Sequence, residues 1–152
     1  MYSHILIPTD GSELSEAAID HGIALAKALD SKVTAVTVSA PFHVSALEPN
    51  FVTAYKEYIA TQAEKYLRNV KDAATASGVT CDVVEIEDEQ PYQAIIDTAA
   101  KRECDAIVMA SHGRRGVAAI VLGSETVKVL THSTIPVVVV RGKPLGPFFV
   151  AS

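Results

Sequence analysis

Short apolar runs without alternation recur along this chain, separated by stretches of helical period. His4 to Pro8 (His-Ile-Leu-Ile-Pro) is such a run, the pattern of a strand covered on both faces. Leu14, Ala17, Ala18, His21, Leu25, Ala28 and Leu29 then recur at helical spacing, with Asp10 or Ser12 placed to cap the helix. Asp30-Ser31 ends it, and Lys32 to Ser39, rich in β-branched residues, predicts a second strand. Ala40 to Asn50 holds two prolines and no period, which predicts a loop. A long helix follows on the stripe Val52, Tyr55, Ile59, Ala63, Tyr66, Leu67, Val70 and Ala74. Ser77-Gly78 ends it, with Gly78 in the left-handed position. Val79 to Ile86 predicts a third strand, and Pro91 opens a helix spanning Tyr92 to Arg102. Glu85, Glu87, Asp88 and Glu89 before it read as a solvated, dipole-matched helix start rather than a metal site. Asp105 to Ala110 is a fourth strand, a helix runs from about Gly123 to His132, and Ile135 to Val140 is a fifth strand. Gly142, Pro144, Gly146 and Pro147 exclude regular structure from the tail, leaving one domain over 1–141 and a tail over 142–152.

Strands alternating with helices define an α/β class. Parallel neighbours need crossovers, and crossovers are right-handed, so the expected form is a doubly wound, five-stranded parallel sheet with helices on both faces. Such sheets bind ligands beyond the carboxyl ends of the strands, where the winding reverses. With the first strand beside the fourth, the ends facing that crevice are Pro8-Thr9-Asp10 and Ala110 to Gly113.

Composition narrows the partners. The 152 residues suffice for one core, and 49% hydrophobic with 20% charged residues is the balance of a globular protein. A net charge of -5 argues against non-specific nucleic-acid or acidic-membrane binding. Cys81 and Cys104 lack metal-ligand spacing and read as reduced residues. The N-terminus has no signal-peptide pattern and no segment reaches the length of a membrane span, so the expected location is cytoplasmic.

The candidate chemistry lies after the fourth strand. The G-x-G-x-x-G and P-loop fingerprints are absent. Instead Asp105 to Ser124 reads as strand end, glycine-bearing loop and helix start, an arrangement that turns free N–H groups and a positive helix end toward an anion. Gly113 and Gly116 let the chain turn its amides inward. Arg114 and Arg115 either bind phosphate or are solvated loop arginines, and His112 either touches a ligand or has no chemical role. Ser124 suits a helix N-cap on its own account. Asp10 is a helix cap, or an acid that binds a ribose hydroxyl or a phosphate-bound Mg²⁺ through water.

The spacing Ala110-x2-Gly113-x9-Gly123-Ser124 resembles the G-x2-G-x9-G-(S/T) pattern of the ATP-binding universal stress proteins, with Ala110 in place of the first glycine. Pro8-Thr9-Asp10-Gly11-Ser12, Ala110-Ser-His-Gly-Arg-Arg-Gly116, Leu122-Gly123-Ser124 and Pro136 to Val140 extend the resemblance over nearly the whole chain. It implies strand order 3-2-1-4-5, commonly a homodimer, and ATP binding in one branch of the family, with Mg²⁺ or Mn²⁺ held through the phosphates. By position it implies that Asp10 faces the ribose or base, Pro8 and Thr9 line the adenine side, and Val38 offers main-chain hydrogen bonds to the adenine edge. Gly113, Gly123 and Ser124 would hold the phosphates, with Met109, Ala110, His112, Arg114, Arg115, Glu125 and Thr126 completing the set.

Fast turnover is not expected. Phosphoryl transfer needs a positioned nucleophile and a base or water-orienting group, and the sequence offers no such pair and no second acid beside Asp10. Slow ATP hydrolysis in a regulatory or stress-response switch is the most this set would support. A phospho-acceptor receiver domain is disfavoured because an acid pair after the first strand and an aspartate ending the third are missing. The alternative is a nucleotide-free interaction module. Either way, Pro136 to Val140 predicts an apolar sheet edge paired antiparallel across a two-fold axis in a homodimer; Phe148 and Phe149 of the tail then either pack on the partner or belong to a disordered tail.

Overall fold

The computed structural model describes residues 1–41, 48–112 and 122–142. The elements run β1 (His4–Pro8), α1 (Glu13–Leu29), β2 (Lys32–Ser39), α2 (Pro49–Ala76), β3 (Cys81–Glu87), α3 (Pro91–Lys101), β4 (Ala106–Ala110), α4 (Ser124–His132) and β5 (Val137–Val140). All strand pairs are parallel, in the order β3-β2-β1-β4-β5. The expected doubly wound α/β sheet is therefore present. The winding reverses between β1 and β4.

The unalternating runs behave as two-sided burial requires. Ile5, Ile7, Val33, Ala35, Ala106 and Val108 face α1 and α2, while Leu6, Val36, Ile107 and Met109 face α3 and α4. The helix faces held two surprises. The expected α1 stripe holds at Ala17 and Ala18, which are buried, but is rotated elsewhere: His21 and Ala28 are exposed, and Ser15, Ile19, Gly22, Ile23 and Ala26 are buried. Gly22 and Ala26 on that face let the helix lie close to the sheet. A Cβ on Gly22 would stand 2.5 Å from Ile7 Cδ1. The second surprise is that α2 begins at Pro49, inside the expected loop, with Pro49 in its first turn, where the missing N–H costs nothing. Its C-terminal half buries Ala63, Leu67, Val70 and Ala74, whereas Phe51, Tyr55 and Tyr58 in the other half are exposed. At 28 residues the helix is about 42 Å long, against about 26 Å for the eight residues of β2, so its start overhangs the carboxyl edge of the sheet.

Smaller boundary changes have local causes. β3 starts at Cys81 and β5 at Val137, each two residues later than the apolar pattern suggests. Val79 instead closes the end of α2, its N–H donating to Ala74 O at 2.8 Å beside Gly78 at φ +74°. α3 stops at Lys101, and Glu103 turns with φ +56°.

The amino ends of the strands are tied together, away from the crevice. Asp105 accepts from Ser3 N at 2.9 Å, Ser3 Oγ at 2.9 Å and His4 N at 3.0 Å. Burial alone would raise its pKa, but those donors outweigh it and hold the carboxyl below its ordinary value. His4 Nε2 meets Thr34 Oγ1 at 2.7 Å. Burial, reinforced by Lys32, lowers the imidazole pKa, with the Arg102 backbone, Asp105 and Asp82 opposing. Cys81 and Cys104 are free and buried, and burial raises both thiols, Cys104 to about 11. No helix among the described residues is long and apolar enough to cross a membrane.

Candidate functional site

Three strand ends meet at the reversal point. β1 stays paired with β2 as far as Pro8↔Val36, but its pairing with β4 ends at Leu6↔Ile107. The two strands part toward their carboxyl ends, and that parting opens the crevice. Two helices begin at its rim, α1 after β1 and α4 after β4, so two positive dipole ends flank it. α1 already carries Glu13 and Glu16 in its first turn, whereas α4 carries one acid, Glu125. The α4 end is thus the less compensated of the two.

The β1–α1 turn is held by its own polar groups. Ser12 is the N-cap, its side chain accepting from Ser15 N at 3.2 Å. Asp10 supports the turn from one residue further out: its Oδ1 accepts from Ser12 N at 2.9 Å. Thr9 is buried, its Oγ1 accepting from Gly11 N at 3.3 Å and lying 3.2 Å from Ser15 Oγ. Thr9 N donates to Val36 O at 2.9 Å, which anchors the turn to β2. Pro8 ends β1, half-buried. Gly11 sits at φ +77°, where a side chain would be strained, and a Cβ there would fall 2.2 Å from Cε1 of Tyr66 on α2, so the ring would have to move.

Val38 enters through its backbone. Successive residues of a strand aim their N–H and C=O to opposite sides. Val36 O bonds Thr9 on the β1 side and Ser39 O accepts from Asp88 N on the β3 side. Val38 therefore aims its own pair to the β1 side, two residues beyond the Pro8↔Val36 pair.

The β4–α4 junction carries the remaining described residues. Ser111 is buried, its N–H donating to Val140 O at 2.9 Å and its carbonyl accepting from Gly123 N at 2.7 Å. Ser111 Oγ lies 3.1 Å from His112 Nδ1, a hydroxyl–imidazole pair that sequence reasoning did not anticipate. With Ser111 only 2% exposed, the pair orients the His112 ring and does not offer a nucleophile. Gly123 packs against the His112 main chain: a Cβ there would lie 2.8 Å from His112 Cβ and 3.0 Å from its Cα. The N-cap of α4 is Gly123, and Ser124 is the first helical residue. The expectation that Ser124 caps the helix is corrected: the close approach at His112 puts the extended cap residue one position earlier.

Three nominated residues have structural duties. Met109 is a core side chain on the α3/α4 side. Thr126 is buried, and its Oγ1 donates to Ala110 O at 2.9 Å, fastening α4 to the end of β4. Glu125 accepts from Tyr92 N at 2.8 Å through Oε2 and from Lys128 Nζ at 3.3 Å through Oε1. It thereby satisfies an amide at the start of α3, while Tyr92 carries Lys128 and His132 against its ring. Ala110 is half-buried, its methyl packed against the core beneath α1. Gly113, Arg114, Arg115 and Gly116 lie outside the described residues, as do Phe148 and Phe149. Tyr66 is the residue at this site that the sequence assigned to the helix stripe alone. No sequence signal pairs it with Gly11.

The sequence model described as the universal stress protein family matches residues 1–141. A universal stress protein of Methanocaldococcus jannaschii is 34% identical over 143 residues, covering 93% of this chain and 83% of that protein. Among solved structures, universal stress protein UspA of Lactobacillus plantarum superposes with a TM-score of 0.81 at 27% identity, covering 92% of this chain and 98% of the other. A universal stress protein in complex with cAMP superposes with a TM-score of 0.71 at 25% identity, covering 92% and 97%.

Proposed function

Because the chain belongs to the universal stress protein family, we propose that its crevice binds an adenine nucleotide, ATP by preference, and that it acts as a stress-response switch with at most slow hydrolysis. The observation that carries this reading is the meeting of three kinds of group at one parting of the sheet. The turn at Asp10 supplies an acid, the end of β2 supplies the Val38 main chain, and the start of α4 supplies a helix terminus beneath Gly123 and Ser124. An adenine edge needs paired main-chain donors and acceptors, and phosphates need converging amides. The solved relative in complex with cAMP supports the same ligand class. Pro8, Thr9 and His112 line the approaches, and a metal ion would enter with the phosphates, through water to Asp10.

Calorimetry with ATP and Mg²⁺ tests the proposal, alongside mass spectrometry of the purified protein for co-purifying nucleotide. Heat or a thermal shift that Asp10→Asn weakens supports it; Asn keeps an oxygen acceptor for Ser12 N, so the fold is retained. No heat and no shift at millimolar ATP overturns it.

A second, compatible reading is a homodimeric interaction module built on β5. The two sheet edges differ in a way that favours it. β3 exposes Asp82, Glu85 and Glu87, charges that discourage edge pairing. β5 has valine at all four positions, with Val138 exposed, and α4 on the neighbouring layer exposes Val127 and Leu130.

A further inference from the structure

We propose that Tyr66 is a positioning residue of the nucleotide site: its ring, seated on the bare face of Gly11, holds the turn that determines where Asp10 stands. The inference deepens the nucleotide-binding reading and rests on it.

The contact is unusually intimate. A Cβ built on Gly11 would fall within 2.2 to 2.5 Å of three ring atoms, Cε1, Cδ1 and Cζ. The Gly11 α-hydrogen on that side therefore points into the ring itself. The backbone there has φ +77°, a conformation that L side chains rarely adopt, so Gly11 is required twice over, by its torsion and by the ring. The hydrogen bonds described for Gly11 and Ser12 are made with residues 9, 10, 15 and 16, all inside the turn or the first turn of α1. The start of the turn is anchored to β2 through Thr9 N, and beyond it these bonds stay within the turn and α1, so the position of Gly11 itself depends on packing as well. Tyr66 comes from a different element. It stands on α2, which is anchored around it by Ala63, Leu67 and Val70, side chains buried in the core.

Position matters here because Asp10 uses Oδ1 to accept Ser12 N, which joins its side chain rigidly to the turn. A displacement of Gly11 carries the carboxylate with it. Polar groups that recognise a ligand must be held within about 0.5 Å of their productive geometry, and packed neighbours supply that restraint. The contact with Gly11 is made by the ring atoms Cε1, Cδ1 and Cζ, which phenylalanine keeps and leucine lacks, so phenylalanine should serve and leucine should not.

The test uses the full chain. In wild type the Gly11 α-proton resonances should be displaced by the ring current and should return toward ordinary glycine values in Tyr66→Leu. Calorimetry with ATP and Mg²⁺, well below the melting temperature, should give Tyr66→Phe an affinity within about twofold of wild type. Tyr66→Leu should raise Kd by about fivefold or more, the range of coupling between contacting residues. A purely structural role would lower the melting temperature of Tyr66→Leu and leave the Kd of the folded protein unchanged, and that result overturns the proposal. Ordinary Gly11 shifts in wild type overturn it as well. Failure of wild type to bind ATP would sink the nucleotide reading separately. Amide exchange at Gly11 and Ser12 then decides: acceleration in Tyr66→Leu keeps the turn-holding role, and unchanged exchange removes it.

Discussion

Replacing Gly123 by alanine is the sharpest probe of the β4–α4 junction. Gly123 has φ −74° and ψ 161°, an ordinary extended conformation, so alanine brings no torsional strain. The cost must be steric. The new methyl would meet His112 Cβ at 2.8 Å and Cα at 3.0 Å, atoms at the root of a side chain and in the main chain that cannot swing aside. Overpacking of this kind costs about 1–3 kcal/mol. Alanine is also a poorer N-cap than glycine, by about 0.5 kcal/mol. The expected loss of about 2–3 kcal/mol corresponds to a fall in Tm of about 5–10 °C for a chain of this size. Relief requires α4 to slide away from Ser111, which stretches the 2.7 Å bond from Gly123 N and the 2.9 Å bond from Thr126. The amides at the helix start move with it, and nucleotide affinity should fall about tenfold, the equivalent of about 1.4 kcal/mol. Gly78→Ala is the matched control. It meets nothing within 4 Å, but its φ of +74° costs a side chain about 1–2 kcal/mol, far from the crevice. Calorimetric melting and ATP titration of both variants should show comparable destabilisation with affinity lost only in Gly123→Ala. A Gly123→Ala protein that melts and binds like wild type would refute the packing argument.

Ser124→Ala should cost under about 0.5 kcal/mol in denaturant unfolding, since the residue is not the N-cap, yet it should weaken ATP binding; a loss near 1 kcal/mol would restore the capping role. Buried His4 has a folded pKa below its ordinary 6.5, so the unfolded chain takes up a proton first as pH falls. Its contribution is complete above that value and declines as pH drops through it toward the folded pKa. Denaturant midpoints across that window should fall with pH in wild type and more weakly in His4→Gln; equal slopes would exclude His4 as the cause. Asp105 acts in a lower window, its stabilisation present above 3.8 and lost as pH falls through its depressed folded pKa. Wild type should sediment as a dimer at micromolar concentration and Val138→Lys as a monomer, because a buried lysine on that strand would carry an unpaired charge; a monomeric wild type ends the β5 argument.

Much of this was legible in the chain itself. Apolar runs such as Ile5–Ile7 and Ala106–Ala110 declare buried strands before any coordinate is known, and their alternation with helices points to a wound parallel sheet. The crevice followed from that topology, because the ends of β1 and β4 are where the winding reverses. Pro8-Thr9-Asp10 and Gly123-Ser124 could be named as its walls on the same basis. Periodicity is a one-dimensional signal, however, and it ranks residues by hydrophobicity. It nominated Ala17 and Ala18 of α1 correctly but then His21 and Ala28, whereas the sheet selected Ile19, Gly22, Ile23 and Ala26, because the available volume decides which face lies inward.

The tertiary structure alone decided everything that depends on two distant segments touching. Gly123 and not Ser124 caps α4 because the His112 main chain leaves no room for a side chain there. Glu125 looks like a first-turn acid in sequence, and only the approach of α3 gives it the Tyr92 amide. Tyr66 and Gly11 stand 55 positions apart in the numbering (66 less 11), and nothing in either neighbourhood announces the other. The sequence determined the elements, their class and the end of the sheet at which a ligand would bind, since those follow from local period and turn chemistry. Which side chains hold that site in shape was settled by close packing, a property of neighbours in space that a linear pattern does not encode.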